Sequence, residues 1–209
     1  GNGARCVARL VASRRGEAER PLRLDSPGGL VQAQLRRDGQ VSVAMGVPDF
    51  EPAALPFEAP AAAATYALDT RAGPLEIAAV SIGNPHAVLR VPSVADAPVD
   101  SIGPAVENHP RFPRRVNVGF LEVVAPDHVR LRVFERGAGE TLACGTGACA
   151  AVVAGIRLGL LDPRVDVETR GGRLTIEWAG ASGDLAAPVL MTGPATTVFE
   201  GEIDIPELT

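Results

Sequence analysis

The hydrophobic pattern changes period several times along the chain. Residues 142–156, LACGTGACAAVVAGI, are small or apolar at almost every position, and predict a buried helix over about 145–158. The segment before it, HVRLRVFER, alternates as a strand does. After it, Val165, Val167, Leu174, Ile176 and Trp178 alternate on one side of a hairpin expected to turn at Gly171-Gly172, and VLMTG follows. Near the start, GNGARCVARLVASRRG places Val7, Leu10 and Val11 at helical spacing, with Arg5 and Arg9 on another face and Gly16 as a stop. LRLDSPGGLVQAQLRRDGQVSVAMG then splits into three alternating segments at Pro27-Gly28-Gly29 and Asp38-Gly39. Residues 47–60 carry four prolines and read as a linker.

These elements repeat. A helix opening on G-x-G, a glycine-turned hairpin and a strand containing methionine and glycine occur twice in the same order. The spacing is nearly equal, from Gly1 to Gly28 and from Gly145 to Gly171. The pattern predicts two pseudo-symmetric halves. Aligning Gly1 with Gly145 sets Cys144 opposite a position ahead of Gly1. Residues 65–143 precede the second helix with no counterpart before the first, so the expectation is a fragment.

Composition narrows the chemistry. The 209 residues suffice for a substantial core, and the net charge of −5 argues against a nucleic-acid surface. No lysine occurs, so no Schiff base can form on this chain. No apolar run approaches the roughly 18 residues of a membrane span. Cys6, Cys144 and Cys149 lack C-x-x-C spacing and read as free thiols in a reducing, cytoplasmic setting. No metal-ligand spacing and no dinucleotide or Walker motif is present.

Cys144 precedes Gly145-Thr146-Gly147 at a helix start. Unobstructed amides and the helix dipole there suit an anion and are expected to lower a thiol's pKa. Cys149, inside the apolar run, reads as a packing residue. Glu135 and Arg136 end the preceding strand, and together can hold an ammonium and a carboxylate. Asn84 and His86 lie in a Gly-Asn-Pro turn, where Asn84 reads equally as a turn former and His86 can tune a thiol. Asn117 sits in an apolar strand and needs a partner or a ligand. His109 and His128 read as surface residues.

The motifs GNGARCVA, GNPHAV, RVNVGF, ERGAGETLACGTGACAA and MTGPATTVFEG, in this order, resemble those of the diaminopimelate epimerase family across essentially the whole chain. The resemblance implies an α/β (α+β) fold of two pseudo-symmetric domains, each a strand-rich sheet wrapped around a central helix. Residues 1–47 with 191–209 would belong to the first, and 48–190 would form the second. It implies an epimerase with no cofactor and no metal, which inverts one α-carbon of LL-diaminopimelate to the meso form for lysine and peptidoglycan precursors.

Two cysteines would face that carbon, one as thiolate base and one as thiol acid. Cys144 would be one, and the residue ahead of Gly1 the other. Gly1, Asn2, Gly145 and Thr146 would hold the reacting carboxylate. Asn84, Asn117, Glu135 and Arg136 would bind the remaining groups, with His86 and Glu135 adjusting the thiol pKa values. Phe199 would stand at a homodimer contact. A proline or hydroxyproline racemase is the near alternative, disfavoured by Arg136, Asn84 and Asn117, which suit a longer zwitterion. A Cys144–His86 thiol hydrolase and a non-enzymatic binding module are the others. With one thiol of the pair, the 209-residue chain alone is expected not to epimerise.

Overall fold

Three strands on either side of one pairing, β3 with β12, mirror each other in order. The computed structural model describes residues 1–16, 19–26, 29–71 and 73–203. After helix α1 (Asn2–Arg15) come β1 (Leu22–Ser26), β2 (Gly29–Leu35) and β3 (Val41–Ala44). Then follow β4 (Tyr66–Thr70), β5 (Gly73–Ser81), β6 (Pro85–Arg90), α2 (Val99–Glu107), β7 (Asn117–Ala125), β8 (His128–Glu135) and β9 (Gly139–Thr141). The last elements are α3 (Gly145–Arg157), β10 (Arg164–Thr169), β11 (Gly172–Glu177) and β12 (Leu190–Gly193). The sheet runs β1-β2-β3-β12-β11-β10-β8-β7-β6-β5-β4, with β9 paired to β8. The two α–β–β–β units therefore meet back to back, with Val43 opposite Met191 and Ser42 opposite Thr192. At that seam the Ser42 and Thr192 hydroxyls, both buried, share a 2.7 Å hydrogen bond.

Each half curls round its helix. α3 is buried at Gly145 and from Gly147 to Ile156, as its small and apolar sequence requires. It packs on β5, β6, β7, β8 and β11. Gly155 admits the returning chain, since a Cβ there would collide with the Leu161 side chain. α1 packs on β1, β2 and β3, and of the expected Val7, Leu10 and Val11 stripe only Val11 reaches that core. Ala8, Ala12 and Arg5 are buried, whereas Val7 and Leu10 are 47% and 52% exposed. Small side chains let the helix approach the sheet closely, which leaves Val7 and Leu10 on the open side.

Further differences from the expected pattern are local. The 47–60 stretch is not slack: Leu55 and Phe57 are buried in a second core, where the Phe57 ring stacks on Phe112 at 4.5 Å and meets Tyr66 edge-on. That core lies on the side of β4–β7 away from α3 and is capped by α2, a helix hidden from sequence reading by Pro98 before it and Pro104 within it. The late hairpin turns at Arg170-Gly171, because Thr169 pairs with Gly172. Gly171 N–H donates to Leu142 O at 2.7 Å, which docks this turn against the segment leading into Cys144. Of the early turn, Pro27 and Gly28 lie outside the described residues.

Candidate active site

The starts of α1 and α3 face each other. A Cβ on Gly1 would lie 3.7 Å from Gly145 Cα, and one on Gly145 would lie 3.6 Å from Asn2 Oδ1. Met191 floors the junction, its Sδ 3.1 Å from that Gly145 Cβ position and its Cε 3.0 Å from that of Gly1. Gly147 is equally constrained, with Val133 Cγ2 at 3.0 Å and Cys144 Cβ at 3.3 Å. Packing, as well as access to the amides, therefore favours glycine at 145 and 147. Helix starts leave their first N–H groups without intrahelical partners, so two sets of donors and two dipole ends converge here.

Cys144 is the N-cap of α3, and its side chain lies within a line of hydrogen bonds. His86 Nε2–H donates to Asn84 Oδ1 at 3.1 Å, and Asn84 Nδ2 donates to Thr146 Oγ1 at 3.3 Å. With its oxygen so occupied, the Thr146 hydroxyl can turn its proton to Cys144 Sγ, 3.5 Å away. The thiol also interacts with the Glu135 carboxylate. Thr141 Oγ1 in turn donates to Glu135 Oε1 at 2.6 Å.

The expected lowering of the Cys144 pKa is not what this arrangement produces. Burial raises it; the Thr146 hydroxyl and the Gly147 amide pull it down, and Glu135 pushes it up further. Burial and the carboxylate together outweigh the helix start, so the resting group is the protonated thiol. His86 is fully buried and held neutral, its pKa lowered to about 3 by burial and by the Arg136 charge. Cys149 is buried among apolar neighbours as its position in the run implied, and burial pushes its thiol up to about 12.

Asn117 finds its partners within the protein. Its amide donates to Pro85 O at 2.9 Å and accepts from Arg136 N–H at 3.0 Å, tying the Asn84 turn to the Arg136 loop. Arg136 is exposed, its guanidinium touches Arg114 O at 3.2 Å, and no carboxylate pairs with it among the described residues. His109, half-buried, meets Asp69 O at 3.1 Å, and His128 lies beside Glu168; neither joins this cluster. Phe199 is 84% exposed.

Two contributors went unread in the sequence. Glu107, buried at the end of α2, accepts Gly137 N–H at 2.7 Å and so fixes the loop after Arg136. Arg5 buries its guanidinium behind Met191, donating to Pro194 O at 3.2 Å and to Met191 Sδ at 3.6 Å. An arginine one turn into a glycine-opened helix was the available signal for the second; for Glu107 there was none.

The family model described as diaminopimelate epimerase matches residues 78–198, which hold all of this cluster outside α1. The chain belongs to the diaminopimelate epimerase family. Its relatives include the diaminopimelate epimerase of Stutzerimonas stutzeri, 56% identical over 97% of this chain and 72% of that protein. That of Acidovorax ebreus is 57% identical over 99% of this chain and 74% of its own length. Among solved structures, a probable proline racemase from Agrobacterium radiobacter K84 shares the fold, with a TM-score of 0.70 at 19% identity over 99% of this chain and 68% of that one. The matched span includes GNPHAV, RVNVGF and ERGAGETLACGTG.

Proposed function

We propose that this chain carries one catalytic thiol of an epimerase that inverts an α-carbon of LL-diaminopimelate. The observation that carries the reading is Cys144, seated where two helix starts converge and flanked by a donor, Thr146, and an acceptor, Glu135. The reacting carboxylate binds across Gly1, Asn2, Gly145 and Thr146. As the α-proton leaves, negative charge spreads onto that carboxylate, and the convergent amides stabilise it. Cys144 rests as a thiol and delivers a proton to one face of the carbon, which leaves it a thiolate; in the reverse direction that thiolate takes the α-proton back and acts as the base. A second thiol on the opposite face is inferred at the position that aligning Gly1 with Gly145 sets opposite Cys144.

The distal end of the substrate needs a cation for its carboxylate. Arg136, without an acid partner among the described residues, meets that need, with Asn84 beside it and Asn117 holding both loops. His86 sets the orientation of Asn84 and, being neutral, adds no competing positive charge. Phe199 supplies an exposed aromatic for a homodimer contact, and the free thiols suit a cytoplasmic enzyme. No described helix is long and apolar enough to cross a membrane.

Chiral separation after turnover tests the assignment, in an enzyme in which this chain follows a cysteine at the position ahead of Gly1. LL-diaminopimelate is expected to give the meso form, and L-proline to remain unchanged. Replacing Arg136 with Ala should raise KM by about tenfold or more, as expected when a charged hydrogen-bonding group is lost. Inversion of proline in preference to diaminopimelate would overturn the substrate assignment.

A further inference from the structure

Glu135 ends β8, before a loop in which Gly137 and Gly139 both adopt positive φ and which Glu107 ties down through Gly137 N–H; its carboxylate still needs a side-chain restraint of its own. The restraint comes from β9. Across the β8–β9 ladder Glu135 pairs with Gly139 and Val133 with Thr141, so Thr141 and Glu135 share one face as diagonal neighbours. The Thr141 hydroxyl donates to Glu135 Oε1 at 2.6 Å. Glu140 projects from the other face, where Arg132 grips it with two bonds of 2.7 and 2.9 Å and Arg170 approaches to 3.1 Å. Arg132 also donates to Val94 O and Ala97 O. A three-residue strand is thus pinned on one side and presents a single hydroxyl to Glu135 on the other.

We propose that Thr141 is a positioning residue for proton transfer at Cys144: its hydroxyl fixes one oxygen of Glu135 and thereby keeps the carboxylate against the thiol. The proposal rests on Cys144 as the acid/base. Its test needs no turnover, so its failure is separable from failure of the epimerase reading. The rate of Cys144 alkylation by iodoacetamide is followed against pH by site-resolved mass spectrometry, with Cys6 and Cys149 as internal references and a thermal melt for each variant.

Glu135 disfavours the thiolate, so a carboxylate that drifts away eases ionisation. Thr141→Val keeps the shape and removes the donor. It should shift the Cys144 profile toward lower pH by about half to one unit, a three- to tenfold faster reaction at a fixed pH below the midpoint. Thr141→Ser should retain the wild-type profile. Glu135→Gln should shift it at least as far as Thr141→Val, and adding Thr141→Val to Glu135→Gln should change nothing more. An unchanged profile in Thr141→Val or Glu135→Gln, a shift in Thr141→Ser equal to that in Thr141→Val, or an undiminished Thr141→Val shift in the Glu135→Gln background would each overturn it.

Discussion

α1 and α3 begin alike, on Gly-x-Gly at one junction, yet they live in different surroundings. Strands enclose α3 on several sides, and its residues are correspondingly small or apolar all round. α1 is covered by β1–β3, and only Ala8, Ala12 and Arg5 are buried. The difference shows that a motif fixes how a helix starts, while the enclosure of the rest depends on how many strands reach it. It also separates two uses of glycine. A Cβ on Gly147 would press on Val133 and Cys144, whereas one on Gly3, its counterpart in the repeat, meets nothing within 4 Å.

The largest stability contrast should come from core truncation. Ile156→Ala in α3 is expected to cost about 2–4 kcal/mol, and Leu10→Ala on the open face of α1 less than about 0.5 kcal/mol, both read from urea denaturation. Equal losses would mean that α1 is enclosed as fully as α3. Glycine substitution is the finer probe. Gly147→Ala should destabilise by about 1–3 kcal/mol and disturb Cys144, while Gly3→Ala should be neutral or stabilise by up to about 1 kcal/mol through helix propensity.

A pH effect distinguishes the halves more gently. Residues 1–47 contain no histidine, while His86 lies in β6 against α3. Its pKa falls from the ordinary 6.5 to about 3 in the fold. The unfolded chain therefore takes the proton first. The contribution is complete above pH 6.5 and is lost as pH falls toward 3, at about 1.4 kcal/mol per pH unit. His86→Gln should flatten that limb of the melting-temperature profile; an unchanged limb would place the acid sensitivity elsewhere.

Much of the fold was legible because its turns are written in glycine and its strands alternate cleanly. Both hairpins and both helices follow that grammar. α2 did not, since its prolines signal loop and its packing partners lie in β7, β8 and β9, distant in sequence. The exposure of Val7 and Leu10 was missed for a related reason: helical spacing shows that residues share a face, but only the sheet decides which part of that face it meets. Cys144, Glu135, Asn84 and Thr146 were recognisable as one cluster by residue type and motif. The direction of the Cys144 pKa was not, because it depends on how far burial outweighs amides and dipole. Thr141 acts through a hydrogen bond six residues back and Glu107 through one thirty residues on, and neither leaves a periodic trace.

The central claim is that Cys144 moves a proton at the α-carbon. The direct measurement is deuterium uptake by LL-diaminopimelate in D2O, in the enzyme in which a cysteine precedes Gly1. Deuterium is expected at the inverted carbon of the meso product. Uptake should fall by about a thousandfold in Cys144→Ala, within the range general acid–base groups supply, and change little in Cys149→Ala. Inversion with full deuterium uptake in Cys144→Ala would contradict it.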